Sequence, residues 1–379
     1  MANELARRGH RVTVVHTLDA YRFFRPKPPV GAFPNAPGVT VRTIESRTGP
    51  LLAPFATYMT GRPALNARAL DDIFRETFDV VHFHNVSLLG GPGVLSYGNG
   101  IKLYTFHEYW LVCPMHVLLK RNREPCLEPQ CVRCSLAFRR PPQLWRYTRL
   151  LDRELEHVDL FLSPSRFTLE AHRSRGFRYP IRHLPNFLPA SEGAPVAPAA
   201  AGGRPYFLYV GRLEKVKGVQ TLIERFRTYR DADLVVAGDG GYARELHRQA
   251  AGLDNVRFLG AVHPRELPAL DAGAVAVLVP TIGYEIFPLV VLEAFAQRTP
   301  VIVRDIGGLP EIVDESGGGF VYRTDEELGE AMDRLVHDPD LRAELGERGH
   351  VAWRERWTEE QHLAEYFEAI EEARALAGR

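Results

Sequence analysis

Short runs of Val, Ile, Leu and Phe alternate along the chain with amphipathic stretches, the pattern of buried parallel strands joined by helices. In the first half these runs predict strands at 11–16, 39–43, 79–83, 102–106, 159–162 and 181–184. In the second they predict strands at 206–210, 233–237, 256–259, 274–279, 300–303 and 319–321, so both halves read as α/β. Residues 189–203 interrupt the pattern with Pro, Ala, Gly, Ser and one charged residue, Glu192, which reads as an interdomain linker. The expected division is a first domain at 1–188 with a Cys-rich insertion at 113–134, the linker at 189–203, a second domain at 204–357 and a terminal helix at 358–379. In that last stretch Leu363, Phe367 and Ile370 recur at helical spacing behind Thr358, with Glu360 and Gln361 in the first turn. At the other end, residues 2–8 read as a helix that leads through Gly9 into the first strand. A doubly wound domain ordinarily opens with a strand and a glycine-rich turn. The expectation is that this first strand is missing, because the natural start lies upstream or because the domain is a shortened variant.

A length of 379 residues exceeds what one hydrophobic core usually serves, and 45% hydrophobic with 25% charged residues is ordinary for a globular protein. Lys plus Arg equals Asp plus Glu at 47 each, which argues against a nucleic-acid binder. The balance hides an asymmetry. Residues 1–188 carry 26 basic and 15 acidic side chains, a net charge of +11, and the remainder carries 21 against 32, a net charge of −11. The basic half suits an anionic partner such as a membrane surface or a charged acceptor, and plain solvation is the alternative. No run is long and apolar enough to span a bilayer and the start lacks a signal-peptide pattern, so the expected location is cytoplasmic.

The predicted strand at 206–210 runs into Gly211-Arg212-Leu213-Glu214-Lys215-Val216-Lys217-Gly218, after which a helix is expected. This places Arg212 and Lys217 at the carboxyl edge of a sheet, where α/β folds bind ligands and where two cations suit a diphosphate. A solvated basic loop is the alternative. Further on, Glu285 lies in a loop and Glu293 about two turns along the next helix, within Glu285-Ile286-Phe287-Pro288-Leu289-Val290-Val291-Leu292-Glu293. Glu285 could merely complement a helix dipole, but Glu293 sits among apolar residues, and a buried carboxylate needs partners that ribose hydroxyls would supply.

These two motifs, in this order, resemble the retaining glycosyltransferases of family 4, also called group 1. The resemblance continues through Val235-Val236-Ala237-Gly238-Asp239-Gly240, Phe258-Leu259-Gly260 and Gly307-Gly308-Leu309-Pro310-Glu311. It implies a GT-B fold, with two facing Rossmann-like domains, a cleft between them and a C-terminal helix. It also implies that Arg212 and Lys217 bind the donor diphosphate, that Glu285 touches the transferred sugar and that Glu293 binds the ribose. Where relatives often have Gly-Phe-Gly, this sequence has Ile286-Phe287-Pro288, and proline donates no backbone hydrogen bond, so the Leu289 N–H is the expected donor contact there. In the first half, Asp79-Val80-Val81-His82-Phe83-His84-Asn85 and Thr105-Phe106-His107-Glu108 resemble the family more weakly. The likeness sets His107 against the donor sugar and the acceptor, as a catalytic residue together with Glu285. The roles of His16, His82 and His84 stay open.

All four cysteines fall in one stretch, as Cys113-x12-Cys126-x4-Cys131-x2-Cys134, interrupted by the hairpin-like Lys120-Arg121-Asn122-Arg123. In a reducing compartment the ligand count suits one structural zinc ion, with an iron–sulfur cluster or buried thiols as alternatives and His116 as a substitute ligand. The zinc expectation includes four sulfurs around one point at about 2.3 Å. Residues 139–147, with Arg139, Arg140, Trp145, Arg146 and Tyr147, could sit at a membrane interface and bring the enzyme to a lipid-linked acceptor, or could snorkel over their own domain.

The sequence thus points to transfer of a hexosyl group from a nucleoside diphosphate sugar to a hydroxyl acceptor, which could be a sugar, a lipid-linked sugar or a small molecule. Retention of configuration, a role in polysaccharide or glycoconjugate synthesis and peripheral contact with the inner membrane face complete the expectation. No catalytic metal and no protein nucleophile are expected. Two other classes remain open: a nucleotide-sugar epimerase on the same plan, and a non-catalytic protein built around the cysteine knuckle.

Overall fold

The computed structural model describes residues 1–24, 35–46, 51–121, 124–189 and 203–378, so most of the stretch read as a linker lies outside the described residues. The chain forms two compact units. The first comprises Met1–Pro164, Thr168–Leu184 and Leu363–Arg379, and the second comprises Ser165–Phe167 and Pro185–His362.

In the first unit, strands β1 (Val12–Thr17) and β2 (Val39–Ile44) form a parallel pair. A separate four-stranded parallel sheet has the order β3 (Val80–Phe83), β4 (Ile101–Thr105), β7 (Leu160–Ser163) and β8 (Ile181–His183). Between β4 and β7 the short strands β5 (Leu119–Lys120) and β6 (Glu124–Pro125) pair antiparallel, and Asn122 and Arg123 of the stretch read as hairpin-like lie outside the described residues. Successive residues of a strand face opposite sides, and β4 shows the consequence. Ile101 and Leu103 pack on one side with Leu160, Leu162 and Leu184, whereas Tyr104 joins Phe106, Phe161 and Phe177 on the other. The first side is closed by the helix Glu359–Leu376, which turns Leu363, Tyr366, Ala369, Ile370 and Ala373 onto it at helical spacing.

The second unit holds one parallel sheet of six strands: β9 (Tyr206–Val210), β10 (Asp233–Ala237), β11 (Val256–Gly260), β12 (Ala276–Val279), β13 (Val301–Arg304) and β14 (Gly319–Tyr322). Their order is β11-β10-β9-β12-β13-β14, that of a doubly wound fold. Alternation again assigns the faces, with Phe207 and Tyr209 on one side and Tyr206 and Leu208 on the other. The winding reverses between β9 and β12, and a crevice for ligands belongs at the carboxyl ends of those two strands. Strand β12 begins two residues later than its apolar run, because Ala274 still donates to the Asp271 carbonyl at the end of the preceding helix.

Candidate functional site

At the carboxyl end of β9 the chain turns through Gly211 and a short 3-10 segment, Lys215–Lys217, before the helix Val219–Phe226. Beyond β12, residues 280–288 lead to the helix Leu289–Ala296. Backbone bonds hold these two connections together: Ile282 N–H donates to the Val216 carbonyl at 2.9 Å, and the Thr281 hydroxyl donates to the same oxygen at 3.1 Å. Gly218 makes the approach possible. Its φ is +79°, and a Cβ there would lie 2.0 Å from the Pro280 carbonyl oxygen. A similar close fit seats Gly307 against the backbone of Glu285, where a Cβ would meet the Glu285 oxygen at 2.7 Å, while Gly308 N–H donates to that oxygen at 3.0 Å.

The two motifs singled out in the sequence therefore meet. Lys217 Nζ lies 2.6 Å from Glu285 Oε1, an ion pair in which both side chains are largely covered. Arg212 turns elsewhere and pairs with Glu214 at 2.7 Å, both groups being exposed. The sequence presents two cations ready for an anion, but each already holds a carboxylate. Beside them the Tyr209 phenol donates to the Arg212 carbonyl at 3.0 Å, and burial together with the Glu285 charge pushes its pKa up, so it remains a neutral donor.

Leu289 is the first residue of its helix, so its N–H has no carbonyl four residues back within that helix, and the positive end of the dipole opens there. Glu293 lies one turn further, half-buried, and its charge acts on Asp271. Asp271 is 2% exposed, and desolvation together with the Glu293 carboxylate holds its pKa well above the usual carboxylate range. The sequence analysis did not single out Asp271, whose position on the short helix Leu267–Gly273 carries no motif.

His107 stands at the end of β4 in the first unit. Its Nε2 lies 2.7 Å from Nδ1 of His84, which follows β3. His82 in turn contacts the Thr105 hydroxyl at 2.7 Å and the Tyr366 hydroxyl at 3.2 Å. Crowding by surrounding protein pushes the His107 pKa below the ordinary imidazole value, an effect that the neighbouring Glu108 charge partly offsets. Glu108 itself points to His116, with 2.7 Å between its Oε2 and the ring Nδ1. His16 sits apart from this group and pairs with the Thr43 hydroxyl at 2.9 Å.

The cysteines do not take the arrangement expected of a closed zinc site. Four ligands at about 2.3 Å would bring the sulfurs to within about 3.8 Å of one another. Among the described residues the sole trio of ligand atoms within 4.8 Å is Asp231, Asp333 and His337, all exposed, and no three cysteines form such a group. The reason lies in where the chain places them. Cys113 follows β4, Cys126 follows β6, and Cys131 and Cys134 belong to the helix Cys131–Ala137. All four are free thiols, Cys113 and Cys134 buried and the other two half-buried. Arg146 lies half-buried nearby against Trp110 and Trp145, donates to the Trp110 carbonyl at 2.7 Å, and desolvation pulls its pKa down to about 10. Of the stretch at 139–147, Arg146 and Trp145 thus serve their own unit, while Leu144 and Tyr147 stay exposed.

The sequence family Glycosyltransferase Family 4 matches residues 1–192, and Glycosyl transferases group 1 matches residues 194–351. The alpha-D-kanosaminyltransferase of Streptomyces kanamyceticus is 34% identical over 154 residues, which are 38% of this chain and 39% of that protein. The GDP-mannose-dependent monoacylated alpha-(1-6)-phosphatidylinositol monomannoside mannosyltransferase of Corynebacterium glutamicum is 28% identical over 53% of this chain and 59% of its own length. The chain thus spans less than two thirds of either relative. Among solved structures, sucrose-phosphate synthase from Thermosynechococcus elongatus superposes with a TM-score of 0.74 at 20% identity, covering 99% of this chain and 92% of that one. Anabaena HepE in complex with UDP-glucose gives a TM-score of 0.65 at 17% identity over 97% and 98% of the two chains. These likenesses show the GT-B fold.

Proposed function

This chain belongs to glycosyltransferase family 4, and from that premise we propose that it transfers a hexosyl group from a nucleoside diphosphate sugar to a hydroxyl acceptor with retention of configuration. The observation that carries the reading is the Lys217–Glu285 pair at the carboxyl edge of the second sheet, beside the N-terminus of the helix Leu289–Ala296. A diphosphate bound there meets Lys217, Arg212 and the Leu289 N–H, and charge grows on it as the glycosidic bond breaks, which is where fixed cations accelerate the step. Glu285, held by Lys217, faces the sugar as an oriented acceptor of hydroxyl hydrogen bonds. Glu293 is assigned to the ribose, and His107 keeps the catalytic role that the family resemblance implies. No protein nucleophile and no catalytic metal are assigned. The domain boundaries at 188/189 and 203/204 are proposed from the composition of the stretch between them, with support from the family matches, which end at 192 and begin at 194.

The acceptor is proposed to belong to polysaccharide or glycoconjugate synthesis at an anionic membrane face. Exposed Leu127, Val132, Leu136, Leu144 and Tyr147 lie in one stretch with exposed Arg133 and Arg139, a mixture of apolar and basic groups suited to such a surface. Among the described residues no helix is long and apolar enough to cross a membrane. Structural zinc at Cys113, Cys126, Cys131 and Cys134 is retained as a proposal that requires the sulfurs to draw closer. Its support is the ligand count, four thiols within one stretch of the chain. Burial and the neighbouring thiols push the pKa of Cys126 and Cys131 up, and Arg175, Lys120 and Arg146 offset this only in part.

A thermal-shift screen against UDP-, GDP- and ADP-sugars tests the donor reading, since a ligand that binds the native state raises its melting temperature. A shift with one nucleotide series, followed by formation of a glycosylated product, is expected. No shift with any series and no product would remove the proposal. Elemental analysis of protein purified without added metal tests the zinc reading, for which about one zinc per chain is expected and none would end it.

A further inference from the structure

The ends of β3 and β4 bring His107 together with two histidines, His82 and His84, that the proposed site does not account for. The strands run parallel with His82 opposite Leu103, so the i, i+2 pair His82 and His84 lies along the same edge as Thr105 and His107. His82 and His84 have ring centroids 4.0 Å apart, and His84 and His107 have theirs 5.0 Å apart with planes inclined by 25°. The contact between His84 Nδ1 and His107 Nε2 is 2.7 Å, a hydrogen bond in which either nitrogen can be the donor and only one can hold the shared proton. From behind, His82 is braced by the Thr105 hydroxyl and by Tyr366, whose ring stacks on it at 5.4 Å.

We propose that His84 is a positioning residue for His107: it engages Nε2, fixes the ring and its tautomer, and leaves Nδ1 as the nitrogen that meets a ligand. The proposal rests on the reading of His107 as a ligand contact. An exposed imidazole left to itself rotates and exchanges tautomers, so it would offer a donor at one moment and an acceptor at the next. A second imidazole held against one nitrogen stops the rotation and ties the two tautomers together, since one ring must donate where the other accepts. His82, stacked on Tyr366, packs against His84 and ties the ring group to the helix Glu359–Leu376.

The test uses the full chain with His84→Ala, His84→Asn and His107→Ala, assayed with the donor identified by the screen. His84 is exposed, so neither replacement opens the core. An asparagine amide occupies the place of an imidazole Nδ1 and can keep the bond, whereas alanine cannot. His84→Ala is expected to lower kcat/KM about tenfold, mainly through kcat, and His84→Asn to stay within about threefold of wild type. Long-range 15N–1H correlation on histidine-labelled protein is expected to show His107 as one tautomer in wild type and His84→Asn, and as an averaged mixture in His84→Ala. An unchanged His107 tautomer in His84→Ala overturns the positioning role, as does equal loss of activity in the Ala and Asn variants. Wild-type activity of His107→Ala would instead strike the reading of His107 as a ligand contact, so the two failures are told apart.

Discussion

The two units build their sheets differently. In the second, six strands form one continuous sheet, and β9, β10 and β12 are buried at nearly every position. In the first, six parallel strands divide into a pair and a set of four. Of the four, β4 and β7 are covered throughout, β3 alternates between half-buried and buried and β8 is half-buried, whereas β1 is half-buried or exposed up to His16 and β2 is exposed from Thr40 to Thr43, with Val14 and Val41 exposed by 36% and 41%. Among the described residues β1 and β2 pair only with each other, so each leaves one edge without a ladder partner, and a two-stranded ribbon is marginal by itself, whereas every inner strand of the six-stranded sheet has two neighbours.

Four experiments would break or sharpen this contrast. The largest effect is expected from Gly218→Val. Its Cβ would meet the Pro280 carbonyl, with no flexible side chain to yield, so nucleotide binding should vanish by calorimetry and the second unit should lose roughly 4 kcal/mol or more. Leu363→Ala acts on the other body. It removes a fully buried side chain from the face of β4 and β7 and should cost about 3 kcal/mol in the denaturant transition of the first unit, while nucleotide affinity is retained. Lys217→Ala should lower kcat/KM about a hundredfold or more, equivalent to about 2.7 kcal/mol, with the melting of the first unit unchanged. A loss below about fivefold would place the phosphates elsewhere. The smallest effect belongs to Val14→Thr, which should shift stability by no more than about 0.5 kcal/mol if β1 is as weakly covered as its exposure indicates. A cost several times larger would show that the β1–β2 pair is better covered than the contrast holds.

Much of the fold was legible because buried parallel strands announce themselves as unbroken apolar runs. The runs at 206–210 and 233–237 coincide with β9 and β10 residue for residue. That β1 and β2 pair apart from β3, β4, β7 and β8 among the described residues was not legible, since β1 has an ordinary strand sequence and its neighbours depend on distant residues. The same limit governs the site. The spacing of Arg212, Lys217, Glu285 and Glu293 singled out two segments that the fold brings together, but that Lys217 meets Glu285 across 68 positions, while Arg212 turns to Glu214, is a fact of folded geometry. His84 could have been suspected from its place two residues after His82 in an alternating strand, but nothing local distinguishes the one that reaches His107. For the cysteines, the number of ligands could be counted from the sequence and their mutual distances could not.

The helix Glu359–Leu376 gives the polypeptide an order of assembly. During synthesis, Leu103, Leu160 and Leu162 leave the ribosome long before Leu363 and Ile370, the side chains that cover them. The greasy face of the first sheet must wait, through the making of the whole second unit, for its lid to be translated. A nascent chain in that interval offers a bare apolar surface to chaperones and to other chains. Truncation before Leu363 would leave it in that state permanently, which predicts aggregation from the first unit even where the second has folded well.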